Sequence, residues 1–292
     1  MLARTLPVAA RDAGTSDKIT ANVSADFTIN GNGGDDTVET GSGNDTVTTG
    51  TGDDRIAAGG GNNTVTAGAG RNIVTSGSGN DTITTGAGND KIAAGDGNNT
   101  VTAGDGTNIV TTGSGNDTIT TGAGADNVDS AGGNDIITTG GGRDVINAGA
   151  GDDTVNAGTG DDRITPGAGI DTLTGGGGRD SFIYDSLATA LLGADTISDF
   201  VTSSPNAGEG DVLNLVGLVN GFTDLSGETL TQLVASGHLD FSGNSTNTVI
   251  SFDSNGSAAG GSTGVLVTLV GVGFTSEANS LIDFADNILV LG

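Results

Sequence analysis

Cysteine, tryptophan and long apolar runs are absent from the sequence, and each absence excludes a class of protein. Without cysteine, neither a disulfide scaffold nor a thiolate metal site can form. The single histidine, His238, excludes a two-histidine zinc site. No run reaches the roughly 18 apolar residues of a transmembrane helix. The first residues also lack the apolar stretch of a secretory signal peptide, so we expect no N-terminal leader.

Positively charged residues are few. Nine Lys and Arg residues stand against 36 Asp and Glu residues, which gives a formal net charge of −27. Such a surface repels nucleic-acid phosphates and anionic lipid, so we expect neither a nucleic-acid partner nor membrane insertion. Many aspartates with almost no lysines to pair them predict a hard cation as the counter-charge.

What the sequence does contain is an uninterrupted repeat. Residues 31–183 divide into 17 consecutive nine-residue units. The fourth position is always Gly, the second is Gly in 15 units, and the eighth is always apolar. The sixth position is Asp in 13 units and Asn in four. A disordered linker has no reason to keep this pattern, so it predicts an ordered repeat architecture.

The spacing within a unit has a physical interpretation. Gly-x-Gly permits a tight turn, and the three residues at positions seven to nine favour a short strand that points out, in and out. Two units then make an 18-residue coil, and the repeat makes about eight coils, stacked ~4.8 Å apart. This predicts an all-β parallel solenoid. Its core of eighth-position side chains is too thin to offset the chain entropy alone, so something else must hold the turns.

Units such as TGSGNDTIT (112–120) and AGAGDDTVN (148–156) resemble the calcium-binding nonapeptides of RTX proteins. The resemblance implies a parallel β-roll in which several Ca²⁺ ions lie between stacked turns, bound by sixth-position carboxylates and main-chain carbonyls. Carried over to this sequence, the implied ligands are Asp36, Asp45, Asp54, Asp81, Asp90, Asp117, Asp126, Asp135, Asp144, Asp153, Asp162, Asp171 and Asp180.

Four units depart from this pattern, with Asn63, Asn72, Asn99 and Asn108 at the sixth position. Asn keeps an oxygen ligand but removes a charge, so we expect sites there to bind Ca²⁺ more weakly or not at all. The stack would rely partly on Asn side-chain hydrogen bonds instead. Because the sites from Asp117 to Asp180 are all Asp and adjoin the bulky cap, we expect folding to begin at the C-terminal coils and to spread toward residue 31.

The sequence predicts three regions: an N-terminal segment that starts the stack (1–30), the calcium β-roll (31–183) and a β-rich C-terminal cap (184–292). Within the cap we expect helices at 186–192 and 228–236, and one further ion at Asp195, Asp199 and Asp211. The segment ADTISDF (194–200) resembles the closing segment of RTX rolls. The segments from residue 239 onward are similar to the type I secretion region of large RTX adhesins. This similarity implies export by type I secretion machinery and an extracellular, possibly cell-surface, location.

Two outward surfaces are candidates for binding. One carries Thr-x-Thr in successive units, for example at 46–48 and 64–66, which resembles the surface of solenoid ice-binding proteins; alternatively, Thr simply suits exposed strands. The other alternates charged and apolar side chains at Arg55, Ile73, Lys91 and Ile109. This alternation suggests a lateral contact between molecules.

Catalysis finds no support in the sequence. The match to GxSxG at 260–264 lacks the strand-turn-helix context of an esterase nucleophile. Only about 30 residues precede the repeats, so we expect no catalytic domain and no enzyme. We therefore expect a calcium-dependent structural protein of the bacterial exterior that self-associates into a filament or layer. The alternatives are a cell-surface adhesin fragment and an ice-binding protein.

Overall fold

The computed structural model describes residues 6–9, 14–185, 194–202, 210–215, 239–243, 246–253, 263–270, 272, 282–283 and 288–291. The chain divides into two compact units, Met1–Val145 (unit 1) and Ile146–Gly292 (unit 2). All regular secondary structure in the described ranges is β-strand. These ranges include no helix with the length and apolarity that a membrane crossing requires. The helices predicted at 186–192 and 228–236 lie outside the described residues.

Unit 1 consists of short strands that alternate between two sheets, so that each sheet collects every second strand. The odd sheet contains β1 (Leu6–Ala9), β3 (Phe27–Asn30), β5 (Thr46–Thr48), β7 (Thr64–Gly68), β9 (Thr82–Thr85), β11 (Thr100–Thr102), β13 (Thr118–Thr120) and β15 (Ile136–Thr138). The even sheet contains β2 (Lys18–Ala21), β4 (Thr37–Thr40), β6 (Arg55–Gly59), β8 (Ile73–Ser76), β10 (Lys91–Ala93), β12 (Ile109–Thr111) and β14 (Asn127–Asp129).

Pairing within each sheet of unit 1 is parallel, and in the repeats the partners are 18 residues apart. Val65 lies beside both Val47 and Ile83, and all three are fully buried. The predicted all-β parallel solenoid with 18-residue coils is therefore confirmed. The strands before residue 31 also belong to the stack of unit 1, because β1, β2 and β3 pair in parallel with strands that follow them.

The strands of unit 2 also alternate between two sheets, and the later strands pair in antiparallel orientation. Its strands are β16 (Val145–Ala150), which begins at the boundary, β17 (Thr154–Asn156), β18 (Arg163–Ala168), β19 (Thr172–Thr174), β20 (Ser181–Ile183), β21 (Asp195–Ile197), β22 (Val212–Asn214), β23 (Leu239–Gly243), β24 (Asn247–Asp253), β25 (Thr263–Val270), β26 (Ile282–Asp283) and β27 (Ile288–Leu291). Pairing is parallel from β17 to β19, β21 and β25, and antiparallel among β25, β24 and β23. In the other sheet β22 pairs with β20 in parallel and with β27 in antiparallel orientation.

The second position of the repeat turns at positive φ in many units, which explains its preference for glycine. In the two units without glycine there, Asn32 and Ala131 are held at φ 64° and 66°. They are the non-glycine residues with positive φ among those that the structure describes. The stacking of neighbouring coils thus imposes the turn even on an alanine.

Candidate metal centre

The sixth-position side chains lie at the junction of turn and strand, and they point inward. All 13 predicted ligands are buried, each at most 2% exposed. The main-chain N–H of one such residue donates to the Oδ1 atom of the sixth-position residue one coil later, as from Asp36 to Asp54 (2.8 Å) and from Asp117 to Asp135 (2.8 Å). Within each unit, neighbouring coils are therefore tied together through a carboxylate or amide oxygen.

These bonds form two ladders in each unit. In unit 1 one ladder runs Asp45, Asn63, Asp81, Asn99, Asp117, Asp135, and the other runs Asp36, Asp54, Asn72, Asp90, Asn108, Asp126, Asp144. In unit 2 they run Asp153, Asp171, Asp195 and Asp162, Asp180, Asp211. The predicted association of units two apart is thus present, while metal binding by these residues stays a prediction.

The second carboxylate oxygen is in a different situation. A buried Oδ2 atom without a hydrogen-bond partner occurs, among others, in Asp36, Asp45, Asp54, Asp90, Asp117, Asp126, Asp171 and Asp180. Such an oxygen costs several kcal/mol (about 2–7) when nothing compensates it. We therefore expect a cation to compensate the row of buried Oδ2 atoms.

The four Asn units show what surrounds the second side-chain atom. The Nδ2 of Asn99 donates to the carbonyl oxygens of Gly95 (3.0 Å) and Gly97 (2.9 Å), at the second and fourth positions of its own unit. Within the described residues no site gathers three or more His, Cys, Asp or Glu side chains. Oxygens of the main chain would therefore have to complete the ligand set of each carboxylate, and these turn carbonyls are suitably placed.

Sequence reasoning expected Asp195, Asp199 and Asp211 to share one ion, but Asp195 lies on one ladder, whereas Asp199 and Asp211 both lie near Asp180 on the other. Asp195 ends one ladder beside Asp171, and Asp211 ends the other beside Asp180. The carboxylate of Asp199 accepts the main-chain N–H groups of residues 175 and 176 (3.0 and 2.7 Å). The residues that continue the ladders lie 24 and 31 positions further on instead of 18, which hides them from a search for nonapeptides.

The sequence reasoning also missed the first position of the unit. Its hydroxyls line the ladders: Ser76 donates to the Oδ2 of Asp81, and Thr85 donates to the carbonyl oxygen of Ala103 (2.8 Å). The signal was visible in the sequence, because every unit that has Ser or Thr at the first position has Asp at the sixth.

The comparison with known families decides the identity of these repeats. The RTX calcium-binding nonapeptide repeat model (four copies) matches in successive overlapping stretches from 28–47 to 157–186, just over half of the chain. The chain belongs to the RTX calcium-binding repeat family. No curated protein matches it significantly. RTX repeats imply that the protein binds Ca²⁺, and because RTX proteins are typically secreted, they suggest an extracellular location.

The residues of this RTX protein fit Ca²⁺. The ion prefers carboxylate and carbonyl oxygens in flexible arrangements, and the ladders offer both. The sixth-position aspartates would hold it together with turn carbonyls, and it would supply the positive charge that the buried Oδ2 atoms lack. The ion pair between Arg71 and Asp53 (3.1 Å) lies at exposed turns and involves no ladder residue.

Acid should stabilise metal-free unit 2. Burial raises the pKa of Asp171 to about 6 and the pKa of Asp180 and Asp195 to about 7, whereas an unfolded chain has Asp near pKa ~3.9. The folded state therefore binds more protons between about pH 4 and 7, so the free energy of unfolding falls as the pH rises through this window. We expect circular dichroism and hydrogen exchange of protein stripped of metal by a chelating resin to show more folded unit 2 at pH 4.5 than at pH 7.5. Less β-structure at the lower pH would contradict this.

Proposed function

We propose that this RTX protein is a secreted structural component of the bacterial exterior, a subunit of a surface layer, matrix or filament that folds and assembles on binding Ca²⁺. Residues 184–292 would direct it through type I secretion machinery. Membership in the RTX family supports calcium binding and secretion. The outer surface of unit 1 supports the assembly.

The single observation that carries the assembly is a column of outward side chains on the even sheet of unit 1. Strand pairing places Ile73 beside Arg55 and Lys91, and Lys91 beside Ile109. The two isoleucines are 37% and 43% exposed. This column, which we call the Ile/Lys column, joins two of the nine cations to apolar surface in a chain of net charge −27. It is therefore complementary to the acidic surface of a second copy.

The symmetry of such a contact determines whether the assembly is open or closed. Because the Ile/Lys column would meet a different, acidic surface on its neighbour, the interface is heterologous. Heterologous contacts that do not close into a ring extend into filaments or layers. This supports an open assembly over a closed dimer.

Replacing both isoleucines with Glu should abolish the assembly without unfolding the protein. Ile73→Glu/Ile109→Glu adds two negative charges to the column, so a negatively charged neighbour is repelled. We expect the wild type to sediment and form filaments or layers by electron microscopy in millimolar Ca²⁺, and the variant to stay in the supernatant. The matched control is Thr64→Glu/Thr100→Glu, at exposed positions on the odd sheet, which should sediment like the wild type. A wild type that stays monomeric in Ca²⁺, or a control that fails equally, would refute the assembly.

A second candidate function is favoured by the odd sheet. Thr46 and Thr48 lie in register with Thr64 and Thr66, and the exposed pairs continue through β9, β11 and β13. This regular two-column array has the spacing of a β-sheet, which would suit an ordered water or ice surface. Thermal hysteresis in Ca²⁺ would identify this function, whereas sedimentation in Ca²⁺ identifies the assembling subunit.

A further inference from the structure

The coils of unit 1 are of two kinds. In two coils, 58–75 and 94–111, both sixth positions are Asn and both first positions are Ala; we call these the Asn coils. In the other coils between residues 40 and 129, both sixth positions are Asp and both first positions are Ser or Thr; these Asp coils are 40–57, 76–93 and 112–129. From 40 to 129 the two kinds alternate strictly. Side chains at two positions of the unit therefore change together.

In an Asn coil the amide meets all of its hydrogen-bonding needs inside the stack. The Oδ1 of Asn63 accepts the N–H of Asp45 (3.0 Å), and its Nδ2 donates to the carbonyl oxygen of Gly61 (2.9 Å). Asn72 and Asn108 repeat this arrangement, each with Nδ2 contacts of 3.1–3.3 Å to two glycine carbonyls. The amide thus supplies positive hydrogen atoms to the turn carbonyls without any ion.

In an Asp coil the same position holds an oxygen. Asn and Asp have the same shape, and their Oδ1 atoms accept the same main-chain N–H, so the Oδ2 of Asp takes the place of Nδ2. Oδ2 of Asp45, Asp54 and Asp90 is buried without a hydrogen-bond partner. Oxygen then faces carbonyl oxygen, which is unfavourable until a cation or a proton arrives.

The residue type at the first position of a unit is related to the side chain at the sixth position. The hydroxyl of Ser76 donates to the Oδ2 of Asp81, whereas Thr85 donates to the carbonyl oxygen of Ala103 in the next coil, so a hydroxyl in an Asp coil stabilises either the carboxylate or the stack. Beside an amide whose hydrogens are already bonded, that donor has no use, and a buried alanine such as Ala58 or Ala94 packs there at 0% exposure. The association of Ala with Asn and of hydroxyl with Asp therefore marks two ways of closing a turn.

We propose that the Asn coils close without metal, the amide hydrogens taking the part that Ca²⁺ takes in the Asp coils, so that segment 58–111 keeps its β-stack when Ca²⁺ is absent. One Asp coil, 76–93, is enclosed by the two Asn coils. Its carboxylates are two steps from the next ones on the same ladder, ~10 Å at the usual strand spacing, where repulsion is much weaker than at one step. The segment would then template the Asp coils as Ca²⁺ arrives, which reverses the C-terminal-first order expected from the sequence.

Hydrogen exchange of the full chain in chelator tests this inference, which rests on the calcium binding of the proposed function and not on its assembly. We expect amide protection in 58–111 to exceed that in 148–183 by at least about tenfold, and protection of both segments in millimolar Ca²⁺. Asn63→Asp/Asn72→Asp should lose the protection of 58–111 in chelator and regain it in Ca²⁺. The matched control, Asn62→Asp/Asn80→Asp, makes the same change at exposed fifth positions whose Oδ1 contacts Asp can keep, and should behave like the wild type.

The opposite substitution, from Asp to Asn, tests the inference with a variant that should become more stable, so that a loss of folding cannot explain the result. Converting coil 76–93 into an Asn coil, by Ser76→Ala, Asp81→Asn, Thr85→Ala and Asp90→Asn together, should increase the protection of 58–111 in chelator and lower the number of bound Ca²⁺ ions. A Ca²⁺ response without protection of 58–111 in chelator, or equal effects of the Asn63/Asn72 and Asn62/Asn80 pairs, would overturn the inference alone. No Ca²⁺ response of any segment would overturn the calcium-dependent function itself.

Discussion

Unit 2 is expected to lose its parallel strands when Ca²⁺ is removed at neutral pH. Its ladders contain only aspartate, and the first positions beside Asp171 and Asp180 are Pro166 and Gly175, which offer no hydroxyl. Both carboxylates are fully buried, and their Oδ2 atoms have no hydrogen-bond partner. Leaving such charges uncompensated costs several kcal/mol each, about 3–5 in proteins where a partner was removed. Because a domain is stable by only ~5–15 kcal/mol, two such charges remove most of that stability.

Circular dichroism and hydrogen exchange of 148–183 would measure this loss, which millimolar Ca²⁺ should reverse and Mg²⁺ should not, because Mg²⁺ demands a smaller octahedral site. Asp180→Ala should raise the Ca²⁺ concentration at the midpoint of folding of unit 2 by about tenfold, since ligand charge sets affinity. Asp161→Asn removes the same charge at an exposed turn but keeps the Oδ1 that accepts the N–H of Arg179 (3.1 Å), so it should leave the midpoint within about twofold. Strands of 148–183 that persist in chelator at pH 7.5 and low salt would show that cations do not hold the ladders.

A methyl group at position 178 should prevent the coils of unit 2 from stacking. The Cβ of alanine there would lie 1.9 Å from the carbonyl oxygen of Gly160 in the preceding coil, and the backbone has φ +130°. The atoms nearest to this Cβ all belong to the main chain, so no side-chain rotation relieves the overlap. We expect Gly178→Ala to reduce the free energy of unfolding by more than about 4 kcal/mol, the range of exceptional single substitutions.

The adjacent glycine provides the control. The Cβ of alanine at 177 would have its nearest neighbour, the Cγ2 of Thr159, at 3.9 Å, an ordinary contact. Gly177→Ala should therefore change the stability by no more than about 0.5 kcal/mol. Urea unfolding in saturating Ca²⁺, followed by circular dichroism, separates the two variants. Equal midpoints for both would mean that the coils are not stacked as closely as the structure has them.

Much of this architecture follows from local pattern. The nine-residue period, the glycine turns and the alternation of strand residues predict an all-β parallel solenoid, and the structure confirms it. The apolar eighth positions from Val38 to Phe182 form its core. Each of these features depends on neighbours within one or two units, where side-chain size and backbone preference dominate. A period of 18 residues also dictates which sixth positions belong to one ladder.

Only the tertiary structure shows the contacts of individual side-chain atoms and the residues at which the ladders end. Which oxygen is shared between coils and which is left without a donor, and the contact of Asn Nδ2 with turn carbonyls, depend on how closely two coils approach. Asp195 and Asp211 continue the ladders from outside the period, because a ladder requires only that an oxygen reach the N–H of the coil before it, whatever the length of chain between. The sequence by itself determined the coil, because every unit repeats the same nine-residue pattern. Only the stacked structure determined which coils need an ion, because that depends on which atoms face each other within the stack.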